Sequence, residues 1–214
     1  MKFPWWPAID AQRTAVADLL ASLTPDEWSS PSLCTQWTVR EVAAHLTLQQ
    51  MTVRDLLART PILVGARGNL ERGIHDMAVA RAAEVDDAGL VALIRASIGS
   101  RRAQTGVTPY ETLTDMLVHT QDIAIPLGRD LPMPPDAAAA AATRMMTMHW
   151  PRPFPIKKTL LRYSLLADDT AWQFGNGPAV EGPMSALLLL VCGRLAALDH
   201  LRGPGLESLR AVAA

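Results

Sequence analysis

Residues 108–126, TPYETLTDMLVHTQDIAIP, carry the pattern that decides how this chain is read. Thr108, Pro109 and Glu111 combine an N-cap hydroxyl, a proline at the first helical position and a glutamate at the third, so a helix starts here. Pro126 ends it, because the residue before a proline is driven out of the helical region. Asp115 and His119 are four residues apart, on one face and one turn from each other, and can hold a single ion between them; Asp122 adds a third polar group. Leu113, Leu117 and Ala124 form an apolar stripe that points largely the other way. An ordinary solvated helix face has the same look. Val118, Ile123 and Ile125, however, spread apolar character around the helix, as expected when several sides are packed and a narrow polar strip is retained.

Working outward, residues 35–46, TQWTVREVAAHL, contain a second capping box in Thr38 and Glu41. The spacing of Val42, Leu46, Val53 and Leu57 predicts one long helix from this cap, with His45 at the boundary of its apolar stripe. His45 with Asp115, His119 and Asp122 could supply a three-ligand metal site drawn from two helices with an open coordination position, although spacing alone does not pair ligands on separate helices. Alone, a boundary histidine reads as a hydrogen-bonded structural residue.

Two further long helices are expected. One runs from Ala8 to Leu23, with Ile9, Val16, Leu19 and Leu20 on its buried face, and the other from Asp136 to Trp150, in an alanine-rich stretch. Shorter helical segments fall at 77–83 and 90–98, and another capping box begins at Thr24. Three prolines in PRPFPIKK, residues 151–158, place a domain boundary at 150/151. Beyond it LLRYSLLADD, AWQFG and PAVEG read as short strands, and Pro183 opens an apolar helix. The fold class is therefore mainly α, a helical domain over 1–150 and a small α+β domain over 151–214.

Composition narrows the function. The 20 basic and 21 acidic residues nearly cancel, which leaves no field to attract nucleic acid or anionic lipid. The N-terminus lacks the pattern of a signal peptide, and the longest apolar run, Ala186 to Cys192, is too short to span a bilayer; the expected location is the cytoplasm, with no membrane partner. Cys34 and Cys192 form no close-spaced metal motif and read as small buried hydrophobes. No basic activator of Cys34 is visible in the sequence. His75, His149 and His200 read as surface or cap residues, since their acidic neighbours are adjacent in sequence and point elsewhere on a helix.

Three segments carry a family resemblance. Residues 23–46, LTPDEWSSPSLCTQWTVREVAAHL, with Trp28, Pro31, Trp37, Thr38, Val39 and His45, resemble the N-terminal signature of the mycothiol-dependent maleylpyruvate isomerases, within the DinB-like metal-binding superfamily. LVHTQDIAIPLGR, 117–129, resembles that family's second histidine segment. Residues 168–205, with Trp172, Gly177, Val180, Gly182, Pro183, Gly193 and Arg194, resemble its C-terminal domain. The resemblance implies a DinB-like four-helix bundle holding a divalent metal, taken as Zn2+, ahead of a small α+β domain. His45 and His119 match the family's metal histidines, and Asp115 stands where the family carries glutamate. Asp122 is an alternative ligand or orients His119 from behind, and Arg194 is the candidate for a substrate carboxylate.

The implied enzyme uses mycothiol, a low-molecular-weight thiol, as cosubstrate. It either isomerises an unsaturated acid or transfers the thiol to a small-molecule electrophile. A bundle that binds metal or ligand without turnover is the alternative.

Overall fold

The structure, a computed structural model, describes residues 3–103, 108–148 and 155–213. Two compact units divide the chain, Met1–Leu131 and Pro132–Ala214. The first contains α1 (Trp6–Ala21), α2 (Pro25–Ser29), α3 (Val39–Leu48), α4 (Val53–Ala58), α5 (Thr60–Gly65), α6 (Leu70–Glu84), α7 (Asp87–Ala96) and α8 (Pro109–Ala124). Among its described residues no strand occurs.

The helix starts follow the local chemistry. Thr24, Thr38 and Thr108 each form a reciprocal capping box with the glutamate three residues on. At Thr38 the backbone N–H donates to Glu41 Oε2 at 2.7 Å, and Glu41 N–H returns to Thr38 Oγ1 at 3.3 Å. α8 ends with Ile125 as its C-cap, immediately before Pro126.

The long helix expected from Thr38 through Leu57 is instead broken after Leu48. Thr52 and Asp55 form another capping box, which starts α4 afresh, and Pro61 lies in the first turn of α5. Val42 and Leu46 are buried as the periodicity requires, but Val53 is 57% and Leu57 68% exposed, so the apolar stripe ends with α3. α6 and α7 begin earlier than the sequence indicates, because Asn69 and Asp86 cap them, accepting from Arg72 N–H and Gly89 N–H.

In the bundle α1 packs on α7 and α8, and α3 packs on α6, α7 and α8. α8 is central and buried on nearly every side, with Leu113, Leu117, Ile123 and Ala124 all fully inaccessible. Two arginines pin the α-helix ends. Arg40, on α3, donates to the carbonyls of Ala82 (3.2 Å) and Val85 (2.8 Å) at the end of α6 and pairs with Asp87 at the start of α7. Arg13, only 1% exposed, donates from Nη1 to the carbonyls of Ser97 (2.7 Å) and Ser100 (3.1 Å) just past α7, placing a cation where the helix dipole is negative. Its partner Asp10 also accepts from Gly99 N–H at 2.9 Å and from Arg101 at 2.7 Å. Burial works to raise the Asp10 pKa, but these donors outweigh it and hold the carboxyl below its ordinary value.

The second unit contains α9 (Pro135–Thr147), α10 (Lys157–Leu160), β1 (Ser164–Ala167), β2 (Gln173–Phe174), β3 (Ala179–Gly182), α11 (Met184–Val191), a 3-10 helix (Leu195–His200) and α12 (Leu206–Ala213). β1 is the middle strand. It pairs antiparallel with β2, Leu165 opposite Phe174, and parallel with β3, Leu165 opposite Val180. Gly175 has φ +83°, and a Cβ there would lie 2.2 Å from the Tyr163 carbonyl oxygen, so the turn after β2 requires glycine. α11 buries Leu187, Leu188 and Leu190 and packs on α9, whose buried Ala137, Ala138, Ala141 and Ala142 leave room for it.

The alanine-rich helix therefore belongs with the C-terminal unit, and the division falls at 131/132 in place of 150/151. The proline cluster lies mainly at 149–154, outside the described residues, as does His149. No helix among the described residues is long and apolar enough to cross a membrane.

Replacing Arg13 by alanine removes the donor to the Ser97 and Ser100 carbonyls and opens a cavity, at an expected cost of about 2–4 kcal/mol to the N-terminal unit. Urea denaturation followed by circular dichroism checks this. A change within about 0.5 kcal/mol, the range of neutral surface substitutions, shows that the tie does not hold α1 to α7.

Candidate metal centre

The site is built from α3, α8 and the loop between α2 and α3. This loop folds back on itself, with Ser32 N–H donating to Trp37 O at 2.9 Å and Val39 N–H to Ser30 O at 2.9 Å. At its tip Trp37 N–H closes a turn on Cys34 O at 3.0 Å, and Gln36 takes the left-handed conformation, φ 69°. Leu33 N–H donates to the Asp122 carbonyl at 3.1 Å and so fastens the loop to α8. The turn consequently delivers Cys34 and Trp37 to the same helix face that bears His119.

His45, Asp115 and His119 converge. His45 Nε2 lies 4.0 Å from Asp115 Oδ2, and the His45 and His119 rings meet edge to face with centroids 4.8 Å apart. One ligand atom from each of the three falls within 4.8 Å of the others. The imidazole side chains are 12% and 13% exposed and Asp115 33%, so the cluster is sheltered yet reachable from its Asp115 side.

Behind it lies Asp122, wholly buried. Its Oδ2 is 2.8 Å from His119 Nδ1 and accepts from the Cys34 thiol at 3.0 Å, while Cys34 Sγ is 3.7 Å from His119 Nδ1. With Nδ1 engaged by a carboxylate, His119 has Nε2, on the opposite edge of the ring, for a ligand. Burial by itself would lower the His119 pKa. The Asp122 carboxylate and Cys34 more than offset this and push it up to about 10.

Several side chains stand differently from their sequence reading. Cys34 is a partly buried member of the cluster and has His119 beside it, not an isolated apolar filler. His75, on α6, bonds its immediate neighbour Asp76 through Nδ1 at 3.3 Å and packs edge-on against Trp37, centroids 5.7 Å apart. The same indole meets His45 edge-on at 5.4 Å and stacks on His119 at 6.5 Å. No periodicity connects residues 34 and 37 with 119; only their place in the loop segment does. Arg194 lies in the C-terminal unit, at the start of the 3-10 helix, and its Nη1 donates to the Cys192 carbonyl at 2.7 Å.

Residues 9–112 match the family model of the mycothiol maleylpyruvate isomerase N-terminal domain. Through this segment the N-terminal unit is similar to that family's N-terminal domain. The match includes Cys34, Trp37 and His45 and ends just before Asp115. Two uncharacterized proteins of Mycobacterium tuberculosis, from strains CDC 1551 and H37Rv, are each 27% identical over 170 residues, covering 76% of this chain and 92% of theirs. The crystal structure of the mycothiol-dependent maleylpyruvate isomerase shares the fold, with a TM-score of 0.59 at 12% identity over 93% of this chain and 91% of that one. A histidine-to-alanine mutant of that enzyme superposes with a TM-score of 0.58, at the same identity and coverage.

The donor set suits a divalent ion: two imidazoles, one carboxylate and a second carboxylate fixing one imidazole. Ligand atoms around tetrahedral zinc are separated by about 3.3 Å. The spacing here is wider, and Asp115, the most exposed of the three, has the freedom to close it.

Because the folded His119 pKa lies above its ordinary 6.5, the stabilisation it brings is complete below about pH 6.5 and declines until about pH 10. Protein stripped of metal with a chelator is expected to lose stability through that window, as read by chemical denaturation at successive pH values. Asp122→Asn flattens the slope, and a wild-type slope equal to that of the variant contradicts the assignment.

Proposed function

We propose that the chain is a metal-dependent enzyme that uses a low-molecular-weight thiol, mycothiol, to isomerise an unsaturated acid or to transfer the thiol to a small electrophile. The observation that carries the proposal is the setting of His119, with a buried carboxylate on Nδ1 and with His45 and Asp115 offering ligand atoms that lie, with its own, within 4.8 Å of one another. His45, Asp115 and His119 would hold the ion, taken as Zn2+. A cation so held lowers the pKa of a bound thiol and supplies the thiolate nucleophile near neutral pH.

The chain's own residues do the rest. Asp122 fixes the His119 ring through Nδ1, so Nε2 would face an entering ion without rotational loss and give up its proton to it. Trp37 walls the two imidazoles and limits water around them. The exposed flank of Asp115 leaves an approach for thiol and substrate. In an isomerase the thiol adds to an electron-poor double bond and departs after rotation; in a transferase it stays attached. The match of residues 9–112 to the mycothiol maleylpyruvate isomerase N-terminal domain supports the thiol, and the donor set supports the metal.

Metal analysis after zinc reconstitution should find the ion in wild type and lose it in His45→Ala and His119→Ala, while Asp122→Asn weakens affinity about 10–100-fold. Reconstituted protein incubated with mycothiol and a panel of electrophiles, with products identified by mass spectrometry, then separates isomerised acid from thiol adduct. Equal negligible metal in wild type and both histidine variants sinks the metal reading. Metal without either product reduces the protein to a binding bundle.

A further inference from the structure

His119 has a second set of donors that the function above uses only for orientation. Cys34 Sγ and His119 Nδ1 are 3.7 Å apart, Cys34 Sγ and Asp122 Oδ2 3.0 Å, and His119 Nδ1 and Asp122 Oδ2 2.8 Å. These three side chains, like the first trio, offer ligand atoms within 4.8 Å of one another. We propose that Cys34, His119 through Nδ1, and Asp122 form a second cation position, selective for thiophilic divalent ions.

Geometry and chemistry both favour it. With Zn–S near 2.3 Å and Zn–N or Zn–O near 2.0–2.1 Å, ligand atoms around a tetrahedral ion are separated by about 3.3–3.6 Å. The sulfur–nitrogen distance already fits, and the two distances to the carboxylate need to open by about 0.5 Å. Those short distances are spanned by protons, the thiol proton and the Nδ1 proton, both directed at Asp122 Oδ2. An entering dication expels both, so one ion replaces two protons and the net charge of the buried cluster is unchanged. Asp122 is 0% exposed, which gives its carboxylate every reason to keep a cationic partner in place of solvent. A thiolate in the set selects zinc or cadmium over magnesium or calcium, whereas His45, Asp115 and His119 offer only nitrogen and oxygen.

The second position needs neither His45 nor Asp115, but it shares His119 with the first trio and takes the Nδ1 edge that the proposed function leaves bonded to Asp122, so the two are alternative states of one cluster. Its test is cadmium titration of full-length Asp115→Ala, in which the first trio is disabled, reading the ultraviolet thiolate-to-cadmium charge-transfer band. One band of single-thiolate intensity is expected, lost in Asp115→Ala/Cys34→Ser and kept in Asp115→Ala/Cys192→Ser. Millimolar magnesium should not displace it. A second readout needs no cysteine variant: cadmium should protect Cys34 of Asp115→Ala from iodoacetamide, located by peptide mass spectrometry. Folded Asp115→Ala with neither band nor protection overturns the proposal, as does a band that survives Cys34→Ser. Wild type that makes thiol products but fails the cadmium test keeps its enzymatic function and loses only this second position.

Discussion

The Asp122 carboxylate is the constraint around which the N-terminal unit is organised. It has no solvent exposure, and an ionised carboxylate without partners in such a place costs several kcal/mol. Its Oδ2 therefore gathers the His119 imidazole and the Cys34 thiol, and its main-chain carbonyl takes Leu33 N–H. Each contact recruits a different part of the chain. His119 is fixed one turn away on α8, Cys34 draws in the turn at 34–37, and Leu33 anchors the loop whose end, Thr38, caps α3. His45, on α3, is placed opposite Asp115 as a result. One buried charge thereby sets the register between two helices and the connection that precedes one of them.

That arrangement explains which features were legible in the sequence. Helix starts are local events: Thr108, Pro109 and Glu111 sit within four residues, and their hydrogen bonds need nothing distant. The same rule exposes the break after α3, since Thr52 and Asp55 form a box of the same kind, but the recurrence of Val53 and Leu57 at helical spacing masked it. Periodicity indicates which residues share a face and not whether that face is covered. Exposed Val53 and Leu57 belong to no buried stripe. Conversely, the strip of Asp115, His119 and Asp122, which resembles a solvated face, lies largely inside because α8 is packed on nearly every side. The alanine-rich helix is a further case, where composition identified α9 and only contacts with α11 assigned it to the second unit.

The roles of Cys34 and His75 at the site were beyond sequence reasoning for a different reason, and Trp37 was legible only as part of the resemblance. The place of Cys34 and Trp37 depends on a turn that puts Gln36 in a left-handed conformation, a choice costing on the order of 1 kcal/mol for a residue with a Cβ, while His75 comes from α6. Surrounding contacts over-determine it: Ser32 Oγ donates to Trp37 O at 2.9 Å and accepts Cys34 N–H at 3.1 Å. With the turn held, the indole reaches three imidazoles from three helices, α3, α6 and α8. An aromatic wall of this kind restricts ring rotation at His45 and His119, so their orientation does not rest on Asp122 alone.

The same packing bears on Asp115, which is one methylene shorter than the glutamate of the family pattern. A shorter ligand can serve only if the backbone brings the partner nearer, because side-chain rotation adds no reach beyond the carboxylate's own length. α3 has the sequence for a close approach. Ala43 and Ala44, immediately before His45, are both fully buried, and small side chains in a contact let helix axes come toward the short end of the usual 8–10 Å range. The 4.0 Å between His45 Nε2 and Asp115 Oδ2 is within what a partly exposed carboxylate can close by turning toward an ion. The aspartate, which stands where the resemblance leads to glutamate, thus lies within reach of His45, and the small side chains of α3 are compatible with that approach.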